Sequence, residues 1–195
     1  MGISKPPLKK WCSLPRNHWC TLKRNGGVVW CGISRDSRIN GLCVESLFEG
    51  VNFGVSGETL MNSKVEHIKN LDHKIVILSY GVNDLPLENG KLISRYEEIV
   101  NAIPKSTKIY ILSVFPIDED VYHRKINPNI LSFNSALATF CEGSRATFID
   151  SSSDLIDEAG QLSSDFHRGD GIHLNQTGNK IWGECIKSLI AGVHH

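Results

Sequence analysis

Two stretches, Lys74–Tyr80 (KIVILSY) and Lys108–Phe115 (KIYILSVF), decide the fold. Each is a near-continuous apolar run with no alternation of polar and apolar positions. A strand of that kind is buried on both faces, the condition of a parallel sheet covered by helices on each side. Shorter β-rich runs stand at Val28–Cys31, Val51–Phe53 and Ala146–Ile149. Helical patterns fall between and after them, at Gly41–Phe48, Thr59–Lys69, Leu92–Ile103, Asn129–Glu142 and Gln176–Ala191. This alternation, with short connections, predicts a mainly parallel five-stranded sheet between two helical layers. In such sheets ligands bind beyond the carboxyl ends of the strands, so the loops there are where chemistry is expected.

A chain of 195 residues buries enough surface for one domain without covalent staples. That domain is expected over residues 26–193, preceded by an extension, residues 1–25, with little periodicity and the pairs Trp11-Cys12 and Trp19-Cys20. The 21 basic and 21 acidic residues cancel, so no global field recruits nucleic acid or an anionic membrane. The first ten residues are basic, but they hold two prolines and no apolar run follows. They do not read as a signal peptide, and no segment is long enough to span a bilayer. The six cysteines form no CxxC pair, which points to a reducing, cytoplasmic protein. A Cys12–Cys20 disulfide is permitted by the spacing but not required.

The tail carries the most chemical phrase: Asp170-Gly171-Ile172-His173-Leu174-Asn175, followed by Gly178. An acid three residues before a histidine, on a glycine-containing turn, can accept a hydrogen bond from Nδ1–H, fix the tautomer and leave Nε2 free as a general base. Three further clusters fall just after expected strands. They are Asp36-Ser37-Arg38-Ile39-Asn40-Gly41-Leu42, Asn52-Phe53-Gly54-Val55-Ser56-Gly57-Glu58-Thr59, and Gly81-Val82-Asn83-Asp84. Any one of them alone is ordinary. Ser37 suits a helix cap, Asn83 a turn, and Gly57 a strand-to-helix connection.

In this order and spacing the four clusters resemble the SGNH (GDSL-like) hydrolase family, over about Val28 to Ile190. Asn134 and the strand end Phe148-Ile149-Asp150 are lesser parts of the likeness. The resemblance implies a flavodoxin-like three-layer α/β/α sandwich and a serine esterase. Ser37 would be the nucleophile, His173 its base and Asp170 the orienting acid. The oxyanion hole would comprise the N–H of Ser37, the N–H of Gly57 and the side-chain amide of Asn83. The implied substrate is a small acyl ester or thioester, such as an O-acetyl carbohydrate or a short-chain lipid, with no cofactor and no metal. An acyltransferase would use the same residues, and a catalytically silent binding module would keep only the scaffold.

The nucleophile block departs from the family pattern, which runs Gly-Asp-Ser directly off the strand. Here it reads Gly32-Ile33-Ser34-Arg35-Asp36-Ser37. Ser37 is preferred because Asp36 precedes it and Gly41 follows four residues later; Ser34, two after Gly32, is the alternative. His167, Asp170 and His173 at intervals of three suggest a metal set, but the sequence offers no clear further ligand. His18, His67, His73 and His123 read as surface or helix-face residues. The polar loop Pro116–Lys125, with Tyr122, His123 and Arg124, follows the fourth strand, where it could shape a substrate pocket or simply be a solvated loop.

Overall fold

The computed structural model describes residues 28–32, 51–52, 57–63, 73–85 and 87–192. Its strands are β1 (Val28–Gly32), β2 (Val51–Asn52), β3 (Ile75–Ser79), β4 (Lys108–Leu112) and β5 (Ala146–Ile149). Its helices are α1 (Asn89–Ala102), the single turn α2 (Glu119–Tyr122), α3 (Asn127–Glu142) and α4 (Gln176–Gly192). All paired strands run parallel, in the order β2-β1-β3-β4-β5, with Gly32 opposite Ser79 and Leu78 opposite Ile111. The chain thus winds outward in both directions from the β1–β3 pair, which makes that pair the topological switch point.

The two apolar runs do what their composition demands. Val76, Leu78, Ile109 and Ile111 face one side, where they pack with Leu92, Tyr96 and Ile99 of α1 and with Phe133 and Leu137 of α3. Ile77, Tyr110 and Leu112 face the other side, against Leu155, Leu174 and, from α4, Trp182 and Ile186. Successive side chains of a strand point to opposite faces, so a run without polar gaps covers both layers at once. Arg145, just before β5, donates to the carbonyls of Val100, Ile103, Pro104 and Thr107 at 2.7–3.1 Å. It thereby satisfies acceptors that the end of α1 leaves without intrahelical partners.

Some boundaries differ from the sequence expectation. β4 stops at Leu112, not Phe115, because beyond it Val114 pairs with a side chain. The Asn134 amide on α3 accepts from Val114 N at 2.9 Å and donates to Val114 O at 2.8 Å. Asn127, two turns earlier on the same helix, does the same to Ile117 at 2.8 and 2.9 Å. Residues 59–63 of the expected Thr59–Lys69 helix form a turn, with Asn62 N donating to Thr59 O at 3.1 Å and to Thr59 Oγ1 at 3.2 Å. The rest of that helix, the Gly41–Phe48 helix and the Cys12–Cys20 pair lie outside the described residues. His73, expected as a surface or helix-face residue, is buried two residues before β3.

Candidate functional site

The loops at the carboxyl ends of the strands form two described assemblies. The first joins Gly57 to Asn83. After β3 the chain is anchored by the Tyr96 hydroxyl, which accepts from Tyr80 N and donates to Tyr80 O, both at 3.1 Å. It then turns sharply, with Asp84 N and Leu85 N donating to Gly81 O at 2.9 and 3.2 Å. Gly81 sits at φ +124°, and a Cβ there would lie 2.3 Å from Phe133 Cε1, so only glycine fits.

This turn presents Asn83 and Asp84 to the loop that carries Gly57. Asn83 Nδ2 donates to Glu58 O at 3.1 Å, which fixes the amide and leaves the second N–H on the same nitrogen without a partner among the described residues. Asp84 Oδ2 accepts Leu60 N at 2.8 Å, and Oδ1 accepts Met61 N at 3.2 Å. Burial pushes the Asp84 carboxyl above its ordinary range, against the pull of those two amides. Gly57 itself has φ +74°, and among the described residues a Cβ on it would meet nothing within 4 Å. Among those residues its backbone stands clear on that side, one residue from the carbonyl that fixes Asn83.

The second assembly carries Asp170 and His173 on a tight hairpin. Its base is closed by Arg168 N to His173 O at 2.9 Å and Asn175 N to Phe166 O at 2.8 Å. Asn175 then caps α4, its Oδ1 accepting Gly178 N at 2.9 Å. Gly178 is required by packing, since a Cβ would stand 2.5 Å from Phe166 O. Within the hairpin Asp170 Oδ1 accepts Ile172 N at 3.0 Å and His173 N at 2.8 Å, while Oδ2 meets His173 Nδ1 at 2.5 Å.

One carboxylate thus shapes the turn and orients the ring. Partial burial works against the charged form of Asp170, but the two amides and His173 outweigh it and hold the carboxyl down at about 2. With the Nδ1 proton given to Asp170, the basic nitrogen of His173 is Nε2.

The hairpin is braced from outside. Asp118 N donates to Gly171 O at 2.8 Å, and a Cβ on Gly171 would lie 2.7 Å from Asp118 O. Asp118 also caps α2 through Asp120 N and Val121 N, and its Oδ2 lies 3.2 Å from Nε2 of the buried His167. Burial raises the Asp118 carboxyl, yet these amides and His167 bring it below its ordinary value. The sequence hinted at His167 only as a metal ligand, but its two ring nitrogens are engaged by Asp118 and by backbone N–H groups. Among the described residues no three His, Cys, Asp or Glu side chains gather as a metal site would need.

The structure therefore brings Asp170 to His173 and ties Asn83 to Glu58, the residue after Gly57. Ser37 and Ser34 lie outside the described residues. Asp84, Asp118, His167 and Asn175 were not assigned these roles from sequence. Each acts through a partner in another loop or turn, and only Asn175, standing before Gln176-Thr177-Gly178, gives a local capping signal.

A doubly wound parallel sheet with an oriented His–Asp pair past its carboxyl edge is the build of a hydrolase. The chain belongs to the GDSL-like Lipase/Acylhydrolase family, whose sequence model matches residues 25–181. A protein of Bacteroides fragilis assigned as an acylhydrolase superposes with TM-score 0.78 at 17% identity, covering 95% of this chain and 99% of that one. A GDSL-like lipase of Bacteroides thetaiotaomicron gives 0.72 at 20% identity over 85% and 88%. A carbohydrate esterase family 3 protein of Talaromyces cellulolyticus gives 0.65 at 18% identity over 85% and 96%. At these identities the likeness is one of fold. No curated protein matches the sequence. Among the described residues no helix is long and apolar enough to cross a membrane.

Proposed function

We propose that the chain is a serine esterase that cleaves a small acyl ester with Ser37, His173 and Asp170. One observation carries the reading: Asp170 Oδ2 stands 2.5 Å from His173 Nδ1 on a braced hairpin, which leaves Nε2 as the base. Ser37 Oγ attacks the acyl carbonyl as His173 Nε2 takes its proton, and Asp170 stabilises the imidazolium that forms. Negative charge on the carbonyl oxygen is met by the N–H of Ser37, the N–H of Gly57 and the second N–H of Asn83. His173 then protonates the leaving alcohol, and a water activated by the same nitrogen releases the acid.

Support for the oxyanion assignment comes from the tie between Glu58 O and Asn83 Nδ2 and from the absence, among the described residues, of any atom within 4 Å of a Cβ on Gly57. Support for Ser37 comes from chain order: it follows β1, the strand hydrogen-bonded to β3, whose exit turn holds Asn83. The substrate class proposed is an O-acetyl carbohydrate or a short-chain lipid ester. One structural neighbour is itself described as a carbohydrate esterase, another as an acetyl esterase with an acetate ion. The catalytic domain proposed is residues 26–193. Cys141 and Cys185 are free thiols, in keeping with a reducing, cytoplasmic setting.

Fluorophosphonate labelling read by mass spectrometry tests this on wild type, Ser37→Ala, Ser34→Ala and His173→Ala. The expected result is one adduct on Ser37, lost in Ser37→Ala and His173→Ala. An adduct on Ser34 would move the nucleophile by three residues. Folded wild type that takes no label overturns the esterase reading in favour of a binding module on this scaffold.

A further inference from the structure

Two histidine–aspartate pairs meet at this hairpin, and they keep their protons on opposite ring nitrogens. At His173 the proton is on Nδ1, directed to Asp170. At His167 the backbone N–H groups of Gly169 and Gly171 both donate to Nδ1, at 2.9 and 3.2 Å. A nitrogen that accepts two N–H groups carries no proton, so the ring proton is on Nε2, 3.2 Å from Asp118 Oδ2. The His167 side chain is only 3% exposed, and water cannot readily replace these partners.

Gly169 and Gly171 flank Asp170 and take φ +87° and +76°. Their amides are drawn inward to His167, which leaves the carboxylate between them turned to His173. We propose that His167 is a positioning residue for the Asp170–His173 pair, and that protonation of its Nδ1 releases the turn that aims Asp170. An imidazolium there would set an N–H against two N–H donors, and all three would lack an acceptor.

The charges around the ring divide the outcome. Asp118, on the segment packed against the hairpin, faces Nε2 at 3.2 Å. On the hairpin itself Asp170 is committed to His173, and Arg168 directs Nε to Leu174 O at 3.1 Å. Glu119, next to Asp118, accepts Asn127 N at 2.7 Å and faces Lys125 at 3.3 Å. One carboxylate therefore opposes two amides, and the side that gives way on protonation is the turn.

The consequence for turnover rests on the esterase reading; the ring geometry does not. The test compares pH profiles of p-nitrophenyl acetate hydrolysis by wild type, His167→Leu and His167→Asn. The asparagine carbonyl stands where Nδ1 stands and does not titrate. His167→Leu is expected to lower kcat by about 100-fold with KM unchanged, the cost of a misplaced catalytic group. His167→Asn is expected to recover most of that loss and to show one ionisation on its acid limb where wild type shows two.

Long-range proton–nitrogen NMR of the wild-type chain supplies the second readout. It should find His167 as the Nε2–H tautomer and show the Gly169 and Gly171 amides shifting as His167 titrates. An acid limb for His167→Asn that superposes on wild type overturns the proposal, as does an Nδ1–H tautomer or amides that ignore the titration. Wild type without ester hydrolysis would sink the esterase reading alone, since the NMR arm still decides the role of His167. It also decides if His167→Leu fails to fold.

Discussion

The carboxylate of Asp84 accepts the backbone N–H of Leu60 at 2.8 Å, across 24 residues of sequence, in a buried position. That single tie, with the companion bond to Met61 N, sets the Gly57 loop against the Asn83 turn. Two donors proposed to share one oxyanion thus depend on a residue that never touches substrate. Asp84→Asn keeps the shape and one carbonyl oxygen but turns an NH2 toward an amide. A buried donor left without an acceptor costs about 1–3 kcal/mol. The urea midpoint should fall accordingly, and kcat should fall in protein that is still fully folded. Loss of stability with unchanged kcat would show that the tie serves the fold alone.

Asn83 is expected to act on the transition state and little on the ground state. Its amide has one N–H engaged by Glu58 O and one to offer. Asn83→Ala removes a donor worth about 2.7–4 kcal/mol of transition-state stabilisation, a loss of roughly 100- to 1,000-fold in kcat. KM should stay near the wild-type value. A raised KM with unchanged kcat would instead place Asn83 in ground-state binding.

How much of this was legible in the chain depends on the range of each interaction. The buried strands were readable because a run such as IVILS must be covered on both faces wherever it lies. Asp170–His173 was readable because the pair is local, three residues apart on a glycine-bearing turn. Asp84–Leu60, Asp118–His167 and Asn127–Ile117 were not, since each joins segments whose meeting is decided by loop closure. The same cause moved the end of β4. Its composition reads as strand to Phe115, but β5 has already ended at Ile149 opposite Leu112, and Asn134 takes the place of a neighbouring strand. Likewise the turn at 59–63 offers two amides to Asp84, a partner that the helical periodicity of Thr59–Lys69 could not reveal.

The two positive-φ glycines of the first assembly should respond differently to alanine. A Cβ on Gly57 meets nothing within 4 Å among the described residues, so Gly57→Ala is expected to cost backbone strain of roughly 1–2 kcal/mol. Its larger effect should be on kcat, because the methyl group enters the space bordering the proposed oxyanion. Gly81→Ala adds a collision with fully buried Phe133 to a forbidden φ. Strain and overpacking together cost roughly 2–6 kcal/mol. Thermal unfolding of both variants beside wild type checks the order. A Gly81→Ala protein as stable as Gly57→Ala would contradict the close packing of the β3 turn on α3.

Asp170 gives the sharpest separation of chemistry from stability. Its carboxyl sits at about 2 in the folded chain, against an ordinary value of about 3.9 when unfolded. A depressed acid stabilises the fold above its unfolded value, and that contribution is lost as pH falls toward the folded one. Between pH 5 and 8, a working range on the order of that used for esterase assays, Asp170 therefore stays ionised and adds no pH dependence of its own.

In Asp170→Asn the carbonyl oxygen can still accept Ile172 N and His173 N, so the turn persists. The NH2 now faces Nδ1, which must become an acceptor, and the ring proton moves to Nε2. That tautomer cannot take a proton from serine, and kcat should drop roughly 10,000-fold at neutral pH. Melting temperature at neutral pH should fall only by the share of stability that the ionised carboxyl supplies, far less than the loss in kcat. A variant that keeps near-wild-type kcat at pH 7 would remove Asp170 from the proposed triad, whatever its contact with His173.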